Sequence, residues 1–237
     1  MPYVISASRK QFDLQLKDIR KKLKVADKKQ VPVDLREYAI AAAIFLAHAE
    51  IENYFTDVLA RIAMACGRGF SNASELPARF RSHLIVERLN LRNLSAKLAG
   101  NAGEQDVLSV VDRWFSSSSS FLIDSSEPFQ ALSGADIYGD YGYPSIKNVE
   151  KILKRLGIGD PKGQLNRTVG KDVVGYLESL ASLRTALAHS ASLPGVSCKD
   201  VMSRLDQVSW FVVALDRLLH SHFQSGIKYA DWKVSMC

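Results

Sequence analysis

The chain has 237 residues, 47% hydrophobic and 24% charged, a balance that allows a sizeable core and excludes wholesale disorder. Its formal net charge is +6, and residues 1–36 hold ten lysines or arginines against four aspartates, so this segment carries the whole excess. Three widely separated cysteines, Cys66, Cys198 and Cys237, show no zinc-ligand spacing and fit free thiols in a reducing compartment.

The opening Met1-Pro2-Tyr3-Val4-Ile5-Ser6 is too short and too polar downstream for a secretory signal. The longest apolar run, residues 38–49, falls short of the roughly 20 residues a membrane helix needs. A cytoplasmic protein with no membrane partner is therefore expected.

Residues 8–30 predict a helix, with Phe12, Leu16, Ile19 and Leu23 at helical spacing and lysines between them, ending ahead of Pro32. Its basic face has two readings, attraction to a polyanion or a solvated surface. Residues 34–66 predict the longest helix, with Asp34 as N-cap, Glu37 in a capping-box position and Gly67 as the stop. Its near-continuous apolar stretch predicts burial on most sides, as the spine of the domain or a subunit contact.

Residues 75–100 and 104–115 predict two further helices, the second amphipathic. The five serines 116–120 predict a loop. From Phe121 to Tyr143, Gly134, Gly139 and Gly142 punctuate a long irregular loop carrying Tyr138, Tyr141 and Tyr143. These tyrosines suit stacking on bases or packing over the helices.

Ser145 predicts the cap of a short helix ending at Gly157, residues 158–169 a turn-rich connector, and residues 170–189 another helix. The triplet Leu193-Pro194-Gly195 predicts a break after it. Asp200 then predicts the start of a last helix reaching about Phe223. No strand-type alternation appears. The fold class is all-α, a single helical bundle over 1–237 with a basic N-terminal helix (1–33), an irregular inserted region around 100–160 and a Ser/Gly/Tyr-rich loop at 116–145.

The chemistry concentrates in Leu183-Arg184-Thr185-Ala186-Leu187-Ala188-His189. The guanidinium of an arginine is a permanently charged fork that can clamp a phosphate, and histidine can move a proton near neutral pH. At about 100° per residue, Arg184 and His189 lie about 140° apart round a regular helix, so they do not share a narrow stripe. A bland alternative pairs Arg184 with Glu178 or Glu150 and sets His189 on a helix-end carbonyl.

This segment resembles the R-x4–6-H motif of the HEPN superfamily. Ala188 fits the pattern, whereas Thr185 stands where the family most often has Asn. The long helix with Ala47-His48-Ala49-Glu50-Ile51-Glu52-Asn53-Tyr54-Phe55 and the short helix before the motif look similar to the RiboL-PSP-HEPN branch. The resemblance implies a HEPN-like bundle acting as a metal-independent endoribonuclease on RNA. Arg184 and His189, with Thr185, would form half of a site completed by a second copy in a homodimer. It further implies a toxin–antitoxin or phage-defence setting and a nucleotidyltransferase-type antitoxin. The alternative is a non-catalytic HEPN-like module that binds RNA, nucleotide or a partner protein.

His48 and Glu50 are expected to support the site, since some HEPN proteins carry an acidic group on this helix; a hydrogen-bonded core histidine is the plainer reading of His48. His220-Ser221-His222 has the wrong spacing for a shared metal ion, because neighbours two apart on a helix diverge. No cofactor and no metal are expected, and the Walker, dinucleotide, zincin and nucleophile-elbow patterns are absent from the sequence.

Overall fold

The computed structural model describes residues 2–88, 94–96, 99–100, 103–117, 119–124, 126–190, 195–224 and 226–237. Among these every regular element is helical: α1 (Ala7–Ala26), α2 (Val33–Gly69), α3 (Ala78–Arg88), α4 (Glu104–Phe115), α5 (Gly134–Tyr138), α6 (Ile146–Arg155), α7 (Pro161–Val169), α8 (Val173–Ser190), α9 (Cys198–Phe223) and α10 (Tyr229–Met236), with 3₁₀ turns at Ala73–Glu75 and Ser120–Leu122. The expected all-α class is what the chain adopts.

α2 is the spine. It packs against α1, α5, α8, α9 and α10, while α9 covers α1, α7 and α8. One hydrophobic cluster joins Phe12 and Leu16 of α1, Phe55 and Leu59 of α2, Leu177 and Leu180 of α8, and Phe211 and Leu215 of α9. Burying a side chain of this size contributes about 1.5–3 kcal/mol relative to leaving it exposed.

The N-terminal arm is tied to this core by a buried carboxylate. Asp216 accepts hydrogen bonds from the hydroxyls of Tyr3, Ser6 and Tyr54 and from the Ser6 amide. Several α1 charges are paired, Arg9–Asp13 and Lys22–Asp18 within the helix and Arg20–Asp206 across to α9.

Several helix limits differ from expectation. α1 stops at Ala26, where Arg36 donates to the carbonyls of Ala26, Lys28 and Val31. α2 begins one residue before Asp34, with Pro32 in the cap position and no side-chain cap. Asp34 thus lies inside the first turn, where a negative charge still favours the helix dipole. α2 also runs through Gly67 to Gly69, because its last turn is held by packing: a Cβ on Gly69 would meet Ile227 at 2.5 Å.

The expected connector 158–169 contains α7, opened by Asp160, which accepts from the Gly163 amide, with Pro161 in the first turn. The irregular 121–143 region contains α5, opened by a Ser133–Asp136 capping box. α9 starts at Cys198, since Ser197 is the cap and Asp200 its capping-box partner. α10 follows it, so α9 is not the last helix. In the helix expected over 75–100, residues 89–93 and 97–98 lie outside the described residues, as do Ser118 of the serine run and Leu193 and Pro194 of the expected break.

No helix of the structure is long and apolar enough to cross a membrane, among the described residues. All three cysteines are free, Cys66 and Cys198 buried and Cys237 exposed.

Candidate functional site

α8 carries the motif along its C-terminal half, and the helix stays regular through Ser190. Leu177, Leu180 and Leu187 are buried, whereas Thr185 and His189 are exposed. Four positions apart, Thr185 and His189 fall on one face. They line an open groove of about 760 Å³ together with Pro144, Lys147 and Glu178. His189 makes no hydrogen bond to a described residue, and Thr185 donates only to the Ala181 carbonyl of its own helix, at 3.0 Å.

Arg184 turns away from that groove floor and meets Tyr143. Its Nη1 lies 3.4 Å from the Tyr143 hydroxyl, and its guanidinium sits 5.6 Å from the centre of the Tyr143 ring. Tyr143 in turn stacks on His48 of α2, ring centroids 5.0 Å apart and planes 20° apart, with its hydroxyl 3.0 Å from His48 Nε2. Arg184 forms no pair with Glu178 or Glu150. Glu150 is held by Lys154 and Lys162 on the flank of α6.

Arginine has only donors, so the Tyr143 oxygen accepts from Nη1. The same hydroxyl hydrogen-bonds His48 Nε2, in the direction set by the His48 tautomer. Burial, and after it the Arg184 charge, push the His48 imidazole below the ordinary histidine range, which favours its neutral form.

Tyr143 is placed by the start of α6. Preceding Pro144, it is confined to an extended backbone. Its carbonyl accepts from the Asn148 side chain and the Ser145 amide, both at 2.9 Å, while the Ser145 hydroxyl accepts from the Asn148 amide. The cap of α6 thus fixes the residue that joins α2 to α8.

The other loop tyrosines pack rather than project. Tyr138 lies against the core, and the Tyr141 ring takes the cations of Lys151 at 3.7 Å and Arg155 at 4.9 Å. Sequence reasoning singled out Arg184, Thr185, His189, His48 and Glu50, named Tyr143 only among three loop tyrosines suited to base stacking or packing, and gave Lys147 no role. The Tyr-Pro step before a helix cap was the available sign for Tyr143.

Glu50 sits about 200° round α2 from His48. It is half-buried and makes no hydrogen bond or ion pair with a described residue, so the structure does not bring it to the His48–Tyr143–Arg184 group. His220 is buried between Tyr3 and Trp232, and His222 bonds the Leu156 carbonyl at 2.8 Å, so the two serve different contacts. Among the described residues no three His, Cys, Asp or Glu side chains are grouped to share a metal ion.

The RiboL-PSP-HEPN family model matches residues 13–221, from within α1 to nearly the end of α9. The chain belongs to the RiboL-PSP-HEPN family. No curated protein and no solved structure matches the chain. In this RiboL-PSP-HEPN chain, one α8 helix offers two environments: a restrained Arg184 on one side and an open His189 on the other.

Proposed function

We propose that the protein is an endoribonuclease that cleaves RNA through attack of the 2′-hydroxyl on the adjacent phosphate, at a site shared by two copies of the chain. The observation that carries this reading is the contrast within the motif. His189 is exposed on an open groove with no side-chain hydrogen-bond partner among the described residues, while Arg184 is held by Tyr143. A group that must exchange protons with substrate needs freedom to reach it, and a cation that stabilises a phosphorane gains from being oriented beforehand.

In the reaction the 2′-oxygen forms a bond to phosphorus and the bond from phosphorus to the 5′-oxygen breaks. A base takes the 2′-hydroxyl proton and an acid supplies one to the departing 5′-oxygen, leaving a 2′,3′-cyclic phosphate and a free 5′-hydroxyl. One chain has one motif histidine. Two chains facing each other supply His189 twice, as base and acid, and Arg184 twice to hold phosphate oxygens. No cofactor and no metal ion enters this scheme. Thr185, on the same face as His189, is placed to contact ribose or phosphate.

A second copy as partner is supported by the outer face of α2. Leu35, Tyr38, Ala42, Phe45 and Ala49 follow alternating steps of three and four, as in a helix–helix seam. Leu35, Tyr38 and Phe45 are exposed, Tyr38 by 75%, on the helix that carries His48. Family membership favours a toxin–antitoxin or phage-defence role, with an antitoxin of nucleotidyltransferase type as a further partner.

The test is cleavage of a single-stranded RNA with chemical analysis of the new ends. Cyclic phosphate ends that vanish with His189→Ala support the reading, as does growth arrest on expression in a bacterium that this change relieves. A His189→Ala protein that cleaves as fast as the parent overturns it.

A further inference from the structure

α6 has two opposite faces. Val149, Ile152 and Leu153 are buried, while Lys147, Lys151 and Lys154 are exposed at steps of four and three, on one outer face. Lys147 borders the His189 groove. Lys151 and Lys154 border a second groove, of about 680 Å³, between α3 and the end of α6, which Arg79, His83 and Arg155 also line. The lysine row therefore runs from the groove of the motif histidine into a second, predominantly basic groove.

The charges on this row are largely available. Lys147 and Lys151 have no carboxylate partner among the described residues, and Arg79 is likewise exposed without one. Lys151 is steadied by the Tyr141 ring, which holds a cation without neutralising it. Lys154 does pair with Glu150, and Glu87 also lines the second groove. The Lys154–Glu150 pair lies on the surface, where water screens such pairs and leaves them weak, so a phosphate can compete for the lysine.

We infer that the outer face of α6 is the path along which the backbone of a single-stranded RNA leaves the His189 groove and enters the α3–α6 groove. This rests on the RNA reading above and extends it to the substrate flanking the cut. Lys147 and Lys154 are about 10 Å apart along the helix axis at 1.5 Å per residue. At the roughly 3.4 Å rise of a stacked strand that distance spans about three phosphates. Contacts of this kind position the strand without reading its sequence.

The test measures binding of a single-stranded RNA of about 20 nucleotides across a salt series, with His189→Ala to prevent cleavage. Each lysine–phosphate contact contributes about 0.7 to the salt slope for single strands. The triple change K147Q/K151Q/K154Q is expected to flatten log K against log salt by about 2 and to weaken binding about tenfold or more at low salt. K17Q/K21Q/K24Q removes the same charge at the same spacing from exposed positions of α1. It is expected to leave the slope as it was. Equal effects of the two triple variants, or no effect of the α6 variant, overturn the path while leaving cleavage by the parent protein intact. A parent protein that neither binds nor cleaves RNA overturns the path together with the proposed function. Binding that depends on the α6 lysines in a protein that cleaves nothing supports the path and removes only the catalytic reading.

Discussion

The Tyr143 ring lies nearly parallel to the His48 imidazole, 5.0 Å away, and its hydroxyl meets His48 Nε2 at 3.0 Å. This contact joins a buried residue of the spine helix to a half-buried residue just ahead of α6. Through the same hydroxyl it reaches Arg184.

Replacing Tyr143 by Phe keeps the ring and removes the hydroxyl. The buried His48 Nε2 then loses its hydrogen-bond partner, an expected cost of about 1–2 kcal/mol in urea unfolding. Arg184 loses its tether as well, so cleavage of RNA is expected to fall about tenfold, the effect of about 1.4 kcal/mol of transition-state stabilisation. Full activity in a destabilised Tyr143→Phe protein would separate the contact from function.

The two motif residues should part company in stability measurements. His189 is exposed, with no side-chain hydrogen bond among the described residues, so His189→Ala is expected to leave unfolding within about 0.5 kcal/mol of the parent. Arg184→Ala gives up a hydrogen bond and a contact with the Tyr143 ring, an expected loss of about 1 kcal/mol. Lysine at 184 keeps charge but not the planar fork, so it is expected to recover little of the cleavage.

His48 gives stability a pH dependence with a definite sign. Its imidazole is pushed down in the folded protein by burial and then by Arg184, so in mild acid the unfolded chain binds a proton that the folded one does not. The contribution is complete above the unfolded value of about 6.5 and is lost as pH falls below it. His220 is shifted the same way by burial, against the pull of Asp216. The fall in melting temperature between pH 7 and pH 5 is therefore expected to be smaller in His48→Gln, without disappearing. An equal fall in both proteins would contradict the neutral His48.

Gly134 opens α5 where that helix crosses α2. A Cβ there would sit 3.1 Å from Ala60 backbone and 2.9 Å from the Tyr138 ring. Gly134→Ala is expected to cost about 1–3 kcal/mol by overpacking, although alanine is the better helix former. Gly159 has open space around it, so Gly159→Ala should melt within a few degrees of the parent, which calorimetry can check.

Phe45 stands in the exposed seam of α2. Phe45→Glu places a charge in that seam and is expected to yield a folded monomer in sedimentation, with cleavage lost if the site is shared. A dimer that persists would move the contact elsewhere on the surface.

The sequence by itself determined the helical class, because apolar residues recur at helical steps in every long segment. It also determined which faces are buried: Phe12, Leu16, Ile19 and Leu23 of α1 and Leu177, Leu180 and Leu187 of α8 lie inside as their spacing requires. The divergence of Arg184 and His189 was legible too, since it follows from 100° per residue on a helix that stays regular. Helix ends were less legible. Pro32, Gly67 and the short α5 and α7 depend on whether packing favours one more turn, and local propensity is too weak to decide that. Only the tertiary structure decided that Tyr143, among three loop tyrosines, lies between His48 and Arg184. Those residues are 95 and 41 positions away in the chain, and no periodicity reaches across such distances. Their meeting depends on where α2, α6 and α8 cross, which is set by the packing of the whole core.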